Sequence, residues 1–151
     1  MNHPTPKRTP RIVLYLTASI VAVLACLGCS STKEIANGRP YPNYLSQDQT
    51  LDIQVFMLPT ELTFTNTTAT RFGPSTLWLN MWFSREIPSI EPGQTLTFKL
   101  KDFRDQYGDV FKPSGFWATV TPDKLVLTQL ETITDEETVL YGLLTIGKYK
   151  E

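Results

Sequence analysis

The sequence predicts an all-β body, a two-layer antiparallel sandwich of about seven short strands, behind an apolar N-terminal segment. Two observations carry the sandwich. Apolar and polar residues alternate with a period of two over most of residues 49–147, the pattern of strands with one face on a core. Proline, glycine and asparagine clusters interrupt that alternation at strand-length intervals, where turns need special backbone angles. A third observation sets the N-terminus apart: Lys7, Arg8 and Arg11 precede a 16-residue apolar run from Ile12 to Leu27.

That run defines the first segment, residues 1–28. Sixteen residues at helical rise make roughly 24 Å, short of a ~30 Å hydrocarbon core. The length favours a cleaved signal helix over a permanent anchor helix, the alternative. Residues 1–28 carry three basic and no acidic side chains, whereas residues 29–151 carry 11 basic and 15 acidic ones. This asymmetry keeps the head on the cytoplasmic side and exports the rest.

The segment ends in Gly28-Cys29-Ser30-Ser31, which resembles the lipobox of bacterial lipoproteins. The resemblance implies a diacylglyceryl group on the Cys29 sulfur, cleavage just before it and acylation of the new amine. The family prefers leucine three residues before the cysteine, and here Cys26 stands there. Val23-Leu24-Ala25-Cys26 is therefore a competing box. The serines after Cys29 favour Cys29, with Cys26 as the alternative. Ser30 in place of the aspartate that the family associates with inner-membrane retention points to the outer membrane where a cell has one. The implied partner is membrane lipid, held firmly only when two or three chains bury at about 0.8 kcal/mol per methylene.

Residues 29–48 read as the lipidated N-terminus and a tether. Asn37, Gly38, Pro40 and Pro42 break helix and strand. A flexible 19-residue tether has an r.m.s. span of about 24 Å. Tyr41 and Tyr44 are candidates for packing on the edge of the body.

The body, residues 49–151, then reads strand by strand. Leu51, Ile53, Val55 and Met57 form one apolar face, and Leu62 and Phe64 the next. Leu77, Leu79, Met81 and Phe83 alternate with Trp78, Asn80 and Trp82, as one strand; Leu96, Phe98 and Leu100 follow. Phe116–Val120, Lys124–Leu130 and Thr138–Ile146 complete the set, the last two central because both faces are apolar. Glu91-Pro92-Gly93-Gln94 suits a type II turn and Thr121-Pro122-Asp123-Lys124 a type I turn. Lys101–Tyr107 lacks alternation and reads as a loop or single helical turn crossing between sheets. Seven strands so spaced suggest an immunoglobulin-like sandwich, with a small barrel as the rival. The stretch Leu51 to Leu100, with Asn66-Thr67-Thr68 and the Pro-Gly turn before Thr-Leu-Thr-Phe, resembles immunoglobulin-like domains of uncharacterised small bacterial envelope lipoproteins. That resemblance implies a fold and an envelope setting, not a reaction.

Residue inventory removes chemistry. The two cysteines, Cys26 and Cys29, lie in or at the end of the signal, and the single histidine is His3. After cleavage the body holds no thiol or imidazole for nucleophilic, acid–base or zinc chemistry. No glycine-rich phosphate loop exists, and the acidic balance gives nucleic acid no basic surface. No cofactor is implied. Asp102, Asp105 and Asp109 share one loop, but interleaved Lys101, Arg104 and Lys112 make local ion pairing the expectation rather than metal binding. Asn66-Thr67-Thr68 matches a glycosylation acceptor, and an Asx turn is the expected use of that asparagine. Trp78, Asn80 and Trp82, read as one strand face, could form a stacking platform for sugar or peptide, with Phe116 and Trp117 adding aromatic area. Burial of the indoles in the core is the competing reading. The sequence thus points to a membrane-anchored, non-catalytic interaction or structural module with an unidentified envelope protein partner. The alternative is a small-ligand or glycan binder using the aromatic face.

Overall fold

A computed structural model of the chain describes residues 38–147. The signal segment, Cys26 and Cys29 lie outside the described residues, as does the expected N-terminal helix. Among the described residues seven strands form: β1 (Gln47–Met57), β2 (Glu61–Thr65), β3 (Ser75–Leu79), β4 (Phe83–Ile87), β5 (Thr95–Lys99), β6 (Thr128–Thr134) and β7 (Glu137–Gly147). A single 3₁₀ turn (Leu100–Asp102) follows β5. No helix among the described residues is long and apolar enough to cross a membrane.

The period-two pattern forms strands because alternate side chains find one core. Ile53 and Val55 of β1, Leu62 and Phe64 of β2, and Phe98 of β5 are buried. They join Leu77, Leu79, Leu130 and Leu143 from β3, β6 and β7 in one cluster. Each such side chain contributes about 1.5–3 kcal/mol by leaving water.

The strands make one mixed sheet in the order β4-β3-β6-β7-β1-β2-β5. Every adjacent pair is antiparallel except β1 and β7, which run parallel with Gln47 opposite Leu140 and Met57 opposite Gly147. The expected all-antiparallel, two-sheet arrangement is corrected on this point. β1 carries β2 on one edge and β7 on the other, so the sheet is continuous through it. β7 is central as expected; the strand expected over Lys124–Leu130 forms instead at Thr128–Thr134, so Leu125-Val126-Leu127 precede it, and β6 is central with Gln129 and Glu131 on its outer face.

The sheet curls so that its ends approach. Arg85 of β4 and Phe98 of β5 belong to opposite edge strands, and the guanidinium carbon lies 4.7 Å from the ring centroid. The segment after β5 spans this gap. The Leu100 amide donates to the Thr60 carbonyl (3.0 Å), and Arg104 and Ser84 exchange backbone hydrogen bonds of 3.1 and 2.8 Å. Phe103 and Phe111, both fully buried, fill the opening between the edges. The expected crossing segment is therefore present, and it brings two core phenylalanines with it.

Leu77–Phe83, expected as one strand, is a hairpin. Asn80 and Met81 have φ of 55° and 58°, and the Trp82 amide donates to the Leu79 carbonyl (3.1 Å). Paired left-handed residues reverse the chain with a twist that matches antiparallel strands. Phe83–Ile87 then returns as β4. Phe116–Val120 forms no strand; Phe116 and Trp117 stand in solvent on a loop. β6 begins only at Thr128, and Thr121–Lys124 makes no turn. The Pro92-Gly93 turn forms as expected, with Gly93 at φ 77° and the Gln94 amide donating to the Glu91 carbonyl (3.0 Å).

Residues 38–46 are a strap across the outer face of the sheet. The Gly38 amide donates to the Asp105 carbonyl (2.8 Å), and the Arg39 amide to the Ser84 hydroxyl (3.0 Å). Gly38 is required there: a Cβ would stand 1.9 Å from the Arg104 carbonyl oxygen. At the far end the Gln47 side chain lies over Gly142, in the space a Cβ would take. The segment read as tether is thus docked from Gly38 onward. Tyr41 packs and Tyr44 stays exposed.

Candidate functional site

Under the strap lies a polar constellation on β3 and β6. Alternation puts Leu77 and Leu79 in the core, so Thr76 and Trp78 face outward. The register sets Thr76 opposite Glu131 and Trp78 opposite Gln129. The Glu131 carboxylate, 7% exposed, accepts from Arg39 on one oxygen (3.0 Å) and from the Trp78 indole N–H on the other (2.8 Å). Arg39 also donates to the Thr76 hydroxyl (3.1 Å). Tyr41 packs edge-on against Trp78 with centroids 5.2 Å apart, and its hydroxyl donates to the Gln129 side-chain carbonyl (2.9 Å). The Gln129 amide in turn donates to Gln47 (2.9 Å).

Both Glu131 oxygens therefore have donors, and the indole is buried by the chain itself. A buried carboxylate is tolerable only when so paired. The arrangement fastens the strap to the sheet. Beside it, an open depression of about 320 Å³ is lined by Arg39, Glu86, Glu131, Thr76 and Thr138. A second hollow of about 290 Å³ lies over Asp52, Gln54, Phe56 and Thr65 on the opposite half.

The three residues expected to share a face are separated. Trp78 is fully buried under Tyr41. Asn80 sits at the hairpin corner, where its side chain donates to the Lys124 carbonyl (2.7 Å) and accepts from the Val126 and Leu127 amides (2.9 and 3.2 Å). Trp82 is about half exposed, pairs with Tyr107 at 6.4 Å and donates to Asp105 (3.0 Å). The hairpin between Trp78 and Trp82 breaks the parity that a single strand would have given them. The shared platform is corrected accordingly.

The loop aspartates serve as internal acceptors. Asp105, 2% exposed, receives the Tyr107 and Asp109 amides (2.9 and 2.8 Å) as well as the Trp82 indole. Asp102 pairs with Arg85 at 2.6 Å. No group of three or more His, Cys, Asp or Glu side chains that could hold a metal occurs among the described residues. Asn66 is fully buried and makes the expected Asx turn, accepting from the Thr68 amide (3.1 Å).

Sequence reasoning missed Arg39 and Glu131. An acidic residue between Leu130 and Ile133, in the segment that follows the apolar stretch Leu125–Leu127, was the available signal, since a central strand rarely carries an unpaired carboxylate. Nothing local marked Arg39, 92 residues away along the chain. No family model matches the chain, and comparison with curated proteins and with solved structures likewise finds no match.

Proposed function

We propose that this chain is a lipid-anchored envelope protein, acylated on Cys29 with Cys26 as the alternative, whose β body serves as a non-catalytic interaction or structural module for an envelope protein partner. The observation that carries this reading is the strap. Only eight residues separate Cys29 from Gly38, and from Gly38 the chain is bonded to the body through Asp105, Ser84, Glu131 and Gln129. A body so fastened stays close to whatever holds its N-terminus. Pull on the anchor would pass into the centre of the sheet rather than into a slack spacer.

The body itself is proposed to be immunoglobulin-like. The strand order supports this reading: β1 runs antiparallel to β2 and parallel to β7, the last described strand, so a curl at β1 would set β2 and β5 against β4-β3-β6-β7. One core cluster drawn from β2 and β5 as well as from β3, β6 and β7 fits the same reading.

Fractionation and mass spectrometry of Cys29→Ala and Cys26→Ala chains test the anchor. Cys29→Ala should abolish the acyl adduct and leave the precursor uncleaved, while Cys26→Ala should change neither. A native chain that retains Met1 and carries no acyl mass would refute the reading.

A further inference from the structure

Antiparallel and parallel registers together fix two poles of the sheet. At one pole β1, β3, β5 and β7 end and β2, β4 and β6 begin. Its loops are residues 58–60, 80–82 and 100–127. They are bonded to one another: Asn80 holds Lys124 and Val126, and the Ser114 hydroxyl donates to the Pro59 carbonyl (3.3 Å). The opposite pole has loops 66–74, 88–94 and 135–136.

Exposed apolar side chains divide unequally between the poles. Eight of the thirteen exposed large hydrophobics among the described residues lie in the first set of loops, and none lies in the second. Phe116 and Trp117 are 90% and 87% exposed and pack edge-on against each other at 4.9 Å. Trp82 and Tyr107 form a second pair beside Asp105. Water-facing tryptophan and tyrosine gathered on one rim are what a bilayer interface accepts, because the ring enters the headgroup region while its N–H or O–H stays near polar groups, and Phe116 beside them adds apolar area.

The chain's own entry point lies at the same pole. Gly38 is bonded to Asp105, the residue that also holds Trp82. Nine peptide steps from Cys29 to Gly38 reach at most roughly 30 Å, so acyl chains on Cys29 would hold Gly38 no farther than that from the membrane and leave this rim able to touch it. The charge of the loops fits a neutral interface. They carry four basic residues (Lys101, Arg104, Lys112, Lys124) and four acidic ones (Asp102, Asp105, Asp109, Asp123).

We infer that this aromatic pole, led by Phe116, Trp117 and Trp82, is a lipid-contact surface that seats the body on the bilayer carrying its anchor. The inference rests on the proposed acylation of Cys29. It assigns the apolar loop 112–127 to insertion among headgroups rather than to docking of a protein or sugar.

Tryptophan quenching by brominated lipid tests it. Full-length protein purified from membranes is reconstituted into phosphatidylcholine vesicles with bromine on acyl carbons near the glycerol. Trp82 and Trp117 should be quenched, and Trp78, beneath Tyr41, should not. Trp117→Phe should remove roughly half of the quenching, and the double variant with Trp82→Phe nearly all of it. Exchanging part of the lipid for phosphatidylglycerol should alter the quenching by less than about two-fold, given the balanced loop charge. Vesicle-bound protein whose emission ignores bromine overturns the lipid contact and leaves the anchor standing. Protein that remains in the aqueous fraction overturns the anchor and the contact with it. An emission shift with a soluble saccharide or envelope protein, without bromine quenching, makes the pole a recognition surface and also overturns the contact.

Discussion

The Arg85 guanidinium lies over the Phe98 ring at 4.7 Å although the two side chains come from the opposite ends of the strand order. No backbone ladder joins β4 to β5, so the closure of the curl rests on side chains and on the crossing segment after β5. Arg85 contributes twice, since it also pairs with Asp102 of the 3₁₀ turn at 2.6 Å.

Arg85→Ala should therefore lower stability by about 1 kcal/mol, combining a partly exposed cation–π contact with a partly exposed ion pair. Urea denaturation measures it as a lower midpoint. Arg85→Lys should recover part of the loss, because charge is kept while the planar fork is not. An unchanged midpoint for Arg85→Ala would mean the edges are held by the phenylalanines alone.

Glu131 separates charge from hydrogen bonding. Glu131→Gln retains a carbonyl for the Trp78 indole but weakens the hold on Arg39, at a cost of about 1 kcal/mol. Glu131→Leu orphans the indole N–H and should cost about 2–3 kcal/mol. Equal losses from the two variants, measured by chemical denaturation, would contradict this assignment.

Two glycines at the two ends of the strap's path should differ sharply. Gly38→Ala drives a Cβ into the Arg104 carbonyl, a backbone atom with nowhere to go. The strap should lift, with a loss of about 1–3 kcal/mol, faster proteolysis near residues 38–46 and red-shifted Trp78 emission. Gly142→Ala meets only the end of the Gln47 side chain, which can swing aside, so its effect should be under about 1 kcal/mol. Protease resistance in Gly38→Ala equal to wild type would sink the claim that this close approach secures the strap.

Asp135 and Glu136 turn the β6–β7 hairpin at φ of 50° and 69°. A side chain pays an energetic penalty in that left-handed region that glycine avoids. Glu136→Gly should raise stability by about 0.5–1 kcal/mol, visible as a higher melting temperature. A lower melting temperature would show that the Glu136 side chain does more than tolerate the turn.

Legibility in the sequence followed locality. β1, β2 and β5 show in the alternation because Ile53 and Val55, Leu62 and Phe64, and Phe98 reach the core while their neighbours do not, and β7 shows in its continuous apolar run because Leu140 to Leu143 are buried on both faces. The hairpin at Asn80-Met81 stayed hidden because methionine is not a turn residue and Leu79, Met81 and Phe83 keep an apolar parity straight through it. β4 lacks the signal for a different reason: Ser84, Arg85 and Glu86 are polar, as befits an edge strand tied to the crossing segment. Phe116-Trp117 mimics a strand in composition while standing in solvent. The strap illustrates the same limit for the site, since Arg39 meets Glu131 only once β6 lies beside β3.

The parallel pairing of β1 with β7 has a consequence for the order of events in the cell. Of the described strands, the first to leave the ribosome sits beside the last, at the middle of the sheet, and Gln47 waits for Leu140. Until the C-terminal hairpin has emerged, β1 lacks half of its neighbours and the curl has no centre. Such distant pairing slows folding and keeps a nascent chain open. A polypeptide built this way stays short of its native sheet until the β6–β7 hairpin has been made.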